Sequence, residues 1–212
     1  MKKSTFKKNA VYRAYFNFRD FLFRRQSYHQ AIKIRLPFIQ RYIPRKGVGA
    51  ELGVLKGEFS KILWKYAEPQ RLHLIDPFYL LTSHWDWVDG DKSTVSAARK
   101  VLKNFQKEIE KGQIIVHIED DLQVLKSFPD GYLDWVYLDS SHTYAHTLKE
   151  LDLLKHKLNE NGIICGDDWH SNVDHRHYGV AKAVKEFAAK NKYVIQYTGT
   201  EDFQWAIKKD LD

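Results

Sequence analysis

The sequence is poor in several residue types, and each scarcity removes a class of protein. One cysteine, Cys165, stands in 212 residues. An intrachain disulfide and a multi-cysteine zinc site are therefore excluded, which fits a reducing compartment. Cys165 lies in the apolar run Gly162-Ile163-Ile164-Cys165-Gly166 and reads as a buried, inert thiol. No stretch approaches the roughly 20 apolar residues of a membrane span. A secretory leader is not expected either, because Arg13, Arg19, Arg24 and Arg25 break every candidate apolar segment near the start. The expected home is the cytoplasm. Acids are scarce in the first 46 residues, where Asp20 alone faces thirteen Lys and Arg, a net of +12. With +7 for the whole sequence, the remaining 166 residues carry −5.

That asymmetry divides the chain into a basic, aromatic arm over 1–46 and a mildly acidic main domain over 47–212. In the arm, Val11, Tyr15, Phe18 and Leu22 recur at helical spacing opposite Arg13, Asn17, Asp20 and Arg24. Such a helix suits an anionic membrane surface, making the protein peripheral to a membrane. It also suits a nucleic-acid backbone, or packing on the main domain or a second subunit of a homo-oligomer. Pro37, Pro44 and Arg45-Lys46-Gly47 mark the join.

The main domain is organised around Val48 to Ser60, where a short buried strand meets a turn punctuated by Gly53 and Gly57. A helix follows with Phe59, Ile62, Leu63 and Tyr66 on one face. Further strands are expected at Arg71–Asp76, Ile114–Ile118, Asp134–Leu138 and Gly162–Gly166, with Tyr193–Tyr197 and Phe203–Ile207 last. Between them fall an aromatic loop over 77–93 and helices over about 94–111, about 121–128, 143–158 and 179–190. The stripe Val95, Ala98, Leu102, Phe105 and Ile109 is expected to face inward in the first of those helices. Alternation of this kind predicts an α/β three-layer sandwich with a mostly parallel sheet, and the short final turn predicts an antiparallel pair at its end.

The acids carry the functional signal. Glu51 lies in the first strand, Asp76 ends the second, Asp120 and Asp121 follow the third, Asp139 ends the fourth, and Asp167 and Asp168 end the fifth. Asp often caps a helix or starts a turn. Acids at the ends of successive parallel strands, however, meet along one crevice, where open α/β sheets bind ligands.

Glu51-Leu52-Gly53-Val54-Leu55-Lys56-Gly57 and the acids behind it resemble the class I S-adenosylmethionine-dependent methyltransferases over roughly Val48 to Lys208. The resemblance implies a Rossmann-like methyltransferase sheet. It also implies a cofactor held by Glu51, Gly53 and Gly57 at the methionine end, Asp76 at the ribose, and Asp120 or its neighbour Asp121 at the adenine. Asp139-Ser140-Ser141-His142-Thr143-Tyr144 and Gly166-Asp167-Asp168 are similar to a subgroup with sugar and macrolide O-methyltransferases, related to the catechol type. In that reading Asp139, Asp167 and Asp168 are oxygen ligands of Mg²⁺ or a similar cation, and His142 is the general base that deprotonates an acceptor hydroxyl. Histidine at 142 and aspartate at 168 depart from the catechol pattern, which has lysine and asparagine there.

The implied activity is O-methylation of a small, polar or sugar-containing molecule. The alternatives are nucleic-acid methylation using the arm and a cofactor-binding or membrane-tethered module without turnover. His170, His175 and His177, with Asp174, read as a solvated or substrate-facing loop more readily than as a zinc site.

Overall fold

The computed structural model describes residues 32–78 and 92–211. Most of the basic arm and the aromatic part of the 77–93 loop lie outside these residues. The chain divides into two compact units, Met1–Pro37 and Phe38–Asp212. Residues 32–42 are helical (α1). Among the described residues no helix is long and apolar enough to cross a membrane.

The second unit alternates strand and helix as its hydrophobic periods require. β1 (Val48–Leu52) leads through the glycine turn to α2 (Glu58–Ala67), and β2 (Arg71–Ile75) follows. Next come α3 (Lys92–Asn104), α4 (Gln106–Glu110), β3 (Ile114–His117) and α5 (Asp121–Ser127). β4 (Leu133–Leu138), α6 (Tyr144–Lys157), β5 (Leu158–Gly166), α7 (Tyr178–Asn191), β6 (Tyr193–Thr198) and β7 (Trp205–Lys209) complete it.

The seven strands form one sheet in the order β3-β2-β1-β4-β5-β7-β6. β1 to β5 pair in parallel, whereas β7 runs antiparallel to both β5 and β6. Every acid that follows one of the first five strands therefore emerges at a single rim. The chain steps outward from β1 through β2 to β3, then crosses to the other side of β1 as β4. This reversal leaves a crevice above β1 and β4, the usual ligand position in an open α/β sheet.

Both faces of the sheet are buried, so its strands are apolar almost throughout. On one face Ala50, Leu52, Val136, Leu138 and Ile164 pack with Val124 and Leu125 of α5, Leu151 and Leu154 of α6, and Val184 and Phe187 of α7. On the other, Phe59 of α2 packs against Tyr137 with ring centroids 4.4 Å apart and planes tilted by 48°. A side chain at Gly49 would meet the Trp135 ring at 2.1 Å, so the indole fills the space the glycine leaves in the neighbouring strand.

Two local expectations change. The long helix after the aromatic loop is two helices, broken at Phe105, and its inward face is Thr94, Ala97, Ala98, Val101 and Phe105. Val95 and Leu102 are exposed. Ala98 and Phe105 face inward as expected, but at two places the reading falls one position off, on Val95 in place of Thr94 and on Leu102 in place of Val101. The fifth strand begins at Leu158, not after Asn161-Gly162, because the bulge between β4 and β5 extends pairing back to Leu133.

Candidate functional site

The glycine turn is fixed by the end of β2. Asp76 Oδ2 accepts the backbone N–H groups of Val54 at 2.9 Å and Leu55 at 2.8 Å. Its Oδ1 accepts from Phe78 N–H at 2.6 Å. Burial pushes the Asp76 carboxyl above its ordinary value, and those amides partly offset the rise. A carboxylate has about four lone-pair directions. Three are engaged with backbone here, so Asp76 sets the shape of the loop, with one acceptor direction, on Oδ1, not used by these amides.

Gly53 is required sterically. Its φ is +85°, and a Cβ there would stand 1.9 Å from the carbonyl oxygen of Asp139. Gly53 N–H donates to Ile75 and Asp139 N–H donates to Leu52, at 2.9 and 2.8 Å. The first loop is thus pressed against the end of β4. Gly57 is the left-handed residue that opens α2, at φ +69°. Glu51 is buried within β1, facing the same side of the sheet as its neighbour in register, Tyr137.

The two acids after β3 differ from one another. Asp120 caps α5, its Oδ1 accepting from Gln123 N–H at 3.2 Å. Asp121 is buried, and both its oxygens bond His146 Nε2, at 2.9 and 3.0 Å. His146 Nε2 also lies 3.8 Å from Oε1 of Glu150, a buried residue that accepts from Ser140 Oγ at 2.5 Å. Burial raises the Glu150 carboxyl well above its usual range, reinforced by Asp121. For His146, burial favours the neutral form but the bond and charge of Asp121 outweigh it, and the imidazole is raised. This network joins the start of α5 to the loop after β4. The sequence reading missed it, although His146 and Glu150 are four apart on one helix face.

At the ends of β4 and β5, His142 Nδ1 lies 2.5 Å from Asp168 Oδ2. His142 Nε2 stands 3.9 Å from Asp139 Oδ1. The other oxygen of Asp168 faces His177 Nδ1 at 2.9 Å and His170 Nε2 at 3.6 Å. Burial alone would raise Asp168, but His142 and then His177 hold its carboxyl well below the usual range. His142 and His177 stack, with ring centroids 4.8 Å apart and planes 12° apart. Both partners of the closest contact are in the left-handed region, His142 at φ +54° and Asp168 at φ +62°. Such backbone costs about 1–3 kcal/mol per residue and concentrates at functional sites.

The hinge before the histidine loop is anchored. Trp205 Nε1–H donates to the Asp167 carbonyl at 2.9 Å, and Trp169 N–H donates to the Phe203 carbonyl at 2.7 Å.

The sequence-expected residues therefore gather at one rim, with a different grouping from the one expected. The acids and histidines whose ligand atoms lie within 4.8 Å of one another are His142, Asp168 and His177; His170, His175 and His177; and Asp121, His146 and Glu150. Among the described residues Asp139 and Asp167 do not join Asp168 in such a group. The sequence placed His177 only in a solvated or substrate-facing loop. No spacing rule would have found it, since its approach to Asp168 is set by the fold of residues 169–177.

The family model described as a methyltransferase domain matches residues 50–169, more than half of the chain. No curated protein matches the sequence. Among solved structures, a SAM-dependent methyltransferase from Aquifex aeolicus superposes with a TM-score of 0.55 at 11% identity, over 82% of this chain and 87% of that one. A putative S-adenosyl-L-methionine-dependent methyltransferase from Methanococcus maripaludis gives 0.54 at 18% identity, over 87% and 88%. M. capricolum TrmK in complex with S-adenosyl-homocysteine gives 0.51 at 19% identity, over 83% and 68%. The matched segment runs from the glycine turn through Asp76 and Asp139 to the Asp167-Asp168 corner. The chain belongs to the methyltransferase domain family, enzymes that transfer a methyl group from S-adenosylmethionine.

Proposed function

We propose that this methyltransferase acts on a hydroxyl of a small polar molecule, a sugar-containing metabolite being the favoured class, with His142 as general base. The observation that carries the reading is the His142–Asp168 pair at 2.5 Å. With its proton on Nδ1, His142 donates to Asp168 and presents the Nε2 lone pair at the rim. A carboxylate that orients an imidazole and stabilises its charged form makes it a better proton acceptor. The acceptor class rests on the resemblance of the Asp139–Tyr144 and Gly166–Asp168 segments to sugar-type enzymes.

S-adenosylmethionine supplies an electrophilic methyl group on a sulfonium. Asp76 and the turn from Gly53 to Gly57 would hold it beside the end of β1, Glu51 beneath them, with Asp120 and Asp121 toward the adenine. The acceptor hydroxyl gives its proton to His142 Nε2 as its oxygen takes the methyl group. Asp168 keeps the imidazole in the required tautomer and orientation.

A cation held by Asp139, Asp167 and Asp168 belongs to the same reading, supported by their placement at adjacent strand ends. Their oxygens do not form an all-oxygen set here, since Asp168 faces imidazoles on both sides. No step above is routed through such an ion. Replacing His142 with Gln should lower turnover by about 10²–10⁴-fold, the usual size of general-base catalysis, and leave S-adenosylhomocysteine affinity unchanged. Turnover within threefold of the parent protein would remove His142 from the chemistry. Loss of turnover on chelation, restored by Mg²⁺, would support the oxygen-ligand cation, and indifference to chelator would exclude it.

A further inference from the structure

We infer that β6 is a docking edge for a second copy of this chain, the two strands pairing antiparallel about a two-fold axis and joining the two sheets into one. No residue of the methyl-transfer site takes part.

β6 closes one side of the sheet and β3 the other. An edge strand presents a row of N–H and C=O groups on which another strand can pair, and proteins usually blunt it with shortness, a lysine, a proline or a bulge. β3 is short, at four residues. β6 has six, Tyr-Val-Ile-Gln-Tyr-Thr, with no charge, proline or glycine among them. A bulge shifts its register with β7 between Ile195 and Tyr197, but every residue keeps its N–H. Val194 and Ile195 are 43% and 37% exposed. Neighbours along a strand point to opposite faces, so apolar surface is exposed on both sides of this edge.

The strand is held firmly behind that edge. Tyr193 packs on Phe187 of α7, with ring centroids 5.0 Å apart. Tyr197 packs on Phe38 and Tyr42 at 5.5 and 5.2 Å, and its hydroxyl donates to Asp202 Oδ2 at 3.0 Å. An edge fixed in advance loses little freedom on pairing.

Charge selects the occupant and its direction. Lys190 and Lys192 precede the strand, and Lys208 and Lys209 stand in register with its first residues, whereas Glu201 and Asp202 follow it. Parallel pairing of two copies would set like ends together. Antiparallel pairing sets each basic end beside an acidic one. A two-fold axis between Gln196 and Tyr197 brings Lys192 of one copy opposite Glu201 of the other, twice in the dimer. The edge is thus complementary to itself, whereas the basic arm, with thirteen Lys and Arg in residues 1–46, complements its acidic end alone. A seam of six residues lies at the low end of interface sizes, so the dimer should form and dissociate with protein concentration.

Sedimentation of the full chain, with no cofactor or acceptor present, tests this. The unmutated protein should pass from monomer to dimer across the micromolar range. Ile195→Lys places a charge on the seam twice and should weaken the dimer at least about tenfold. Lys192→Glu and Glu201→Lys should each weaken it about tenfold alone, since both symmetric contacts turn from attraction to repulsion. An equimolar mixture of those two variants should associate as the unmutated protein does, because every contact in the mixed dimer again pairs opposite charges. A monomer at every concentration would overturn the inference. So would a dimer indifferent to Ile195→Lys, which would place the contact elsewhere, on the basic arm for example. Charge variants that fail to rescue each other would exclude the antiparallel arrangement. Circular dichroism checks the fold of each variant, and where Ile195→Lys fails to fold, the mixture of charge variants decides. No methyl transfer is measured, so this inference and the His142 reading fail separately.

Discussion

Gly53→Ala tests the contact between the first loop and the end of β4. The methyl group would enter 1.9 Å from the Asp139 carbonyl oxygen and 3.0 Å from Ser140 Cα, both backbone atoms that no rotamer change can clear. Two costs add. Holding a non-glycine residue at φ +85° costs about 1–2 kcal/mol, and forcing a methyl into packed backbone costs about 1–3 kcal/mol. A destabilisation of about 3 kcal/mol corresponds to a fall of roughly 6–12 °C in melting temperature for a domain of this size. Gly131→Ala isolates the first cost, since Gly131 has φ +69° and nothing within 4 Å of its added Cβ. That variant should lose about 1 kcal/mol, or roughly 2–4 °C. Thermal unfolding by circular dichroism reads both. S-adenosylhomocysteine binding should weaken in Gly53→Ala alone, because only there does the loop move against Asp139. Equal melting shifts in the two variants, or unchanged binding in Gly53→Ala, would refute the steric argument.

Two further outcomes follow from buried groups outside the site. His73 is buried, with its ring nitrogens 2.9 Å from His117 Nε2 and 3.0 Å from the Tyr132 hydroxyl, and burial, with the nearby His117 and Arg71, lowers its pKa from 6.5 to about 4. The unfolded chain therefore binds the proton first, and stability should fall by about 3 kcal/mol as pH drops from 6.5 toward 4. Urea titrations should show that slope, and His73→Leu should flatten it; an equal slope in the variant would contradict the assignment. Cys165 is fully buried and burial pushes its thiol up. A thiol reagent should label it only as fast as the domain unfolds, and rapid labelling of the native protein would show the strand to be open.

Legibility followed periodicity. β1 through β4 and α5 through α7 were readable because their apolar residues repeat at strand or helix spacing, and the parallel sheet then placed Asp76, Asp139 and Asp168 at one rim without further information. α3 was misread in part: Ala98 and Phe105 of the expected stripe are buried, but the exposed Val95 and Leu102 drew it away from the buried Thr94, Ala97 and Val101. The individual acids were readable as a row but not as groups. Which oxygen faces which imidazole depends on the left-handed turns at His142 and Asp168; Asp and His adopt positive φ more readily than most residues, but nothing in the sequence marks which of its many Asp and His do so. His177 was missed because its approach to Asp168 depends on the fold of residues 169–177, and His146 because Asp121, its partner 25 residues earlier, meets it only through the packing of α5 against α6.

The central claim is that the crevice between the glycine turn and Asp76 is where the cofactor binds. Calorimetric titration of the full chain with S-adenosylhomocysteine tests it most directly. One saturable site per chain is predicted, weakened at least about tenfold in Asp76→Ala, which removes two charge-assisted bonds from the glycine turn, at Val54 and Leu55, and a third from Phe78. No binding heat in the unmutated protein, or the same affinity in Asp76→Ala, would contradict the account.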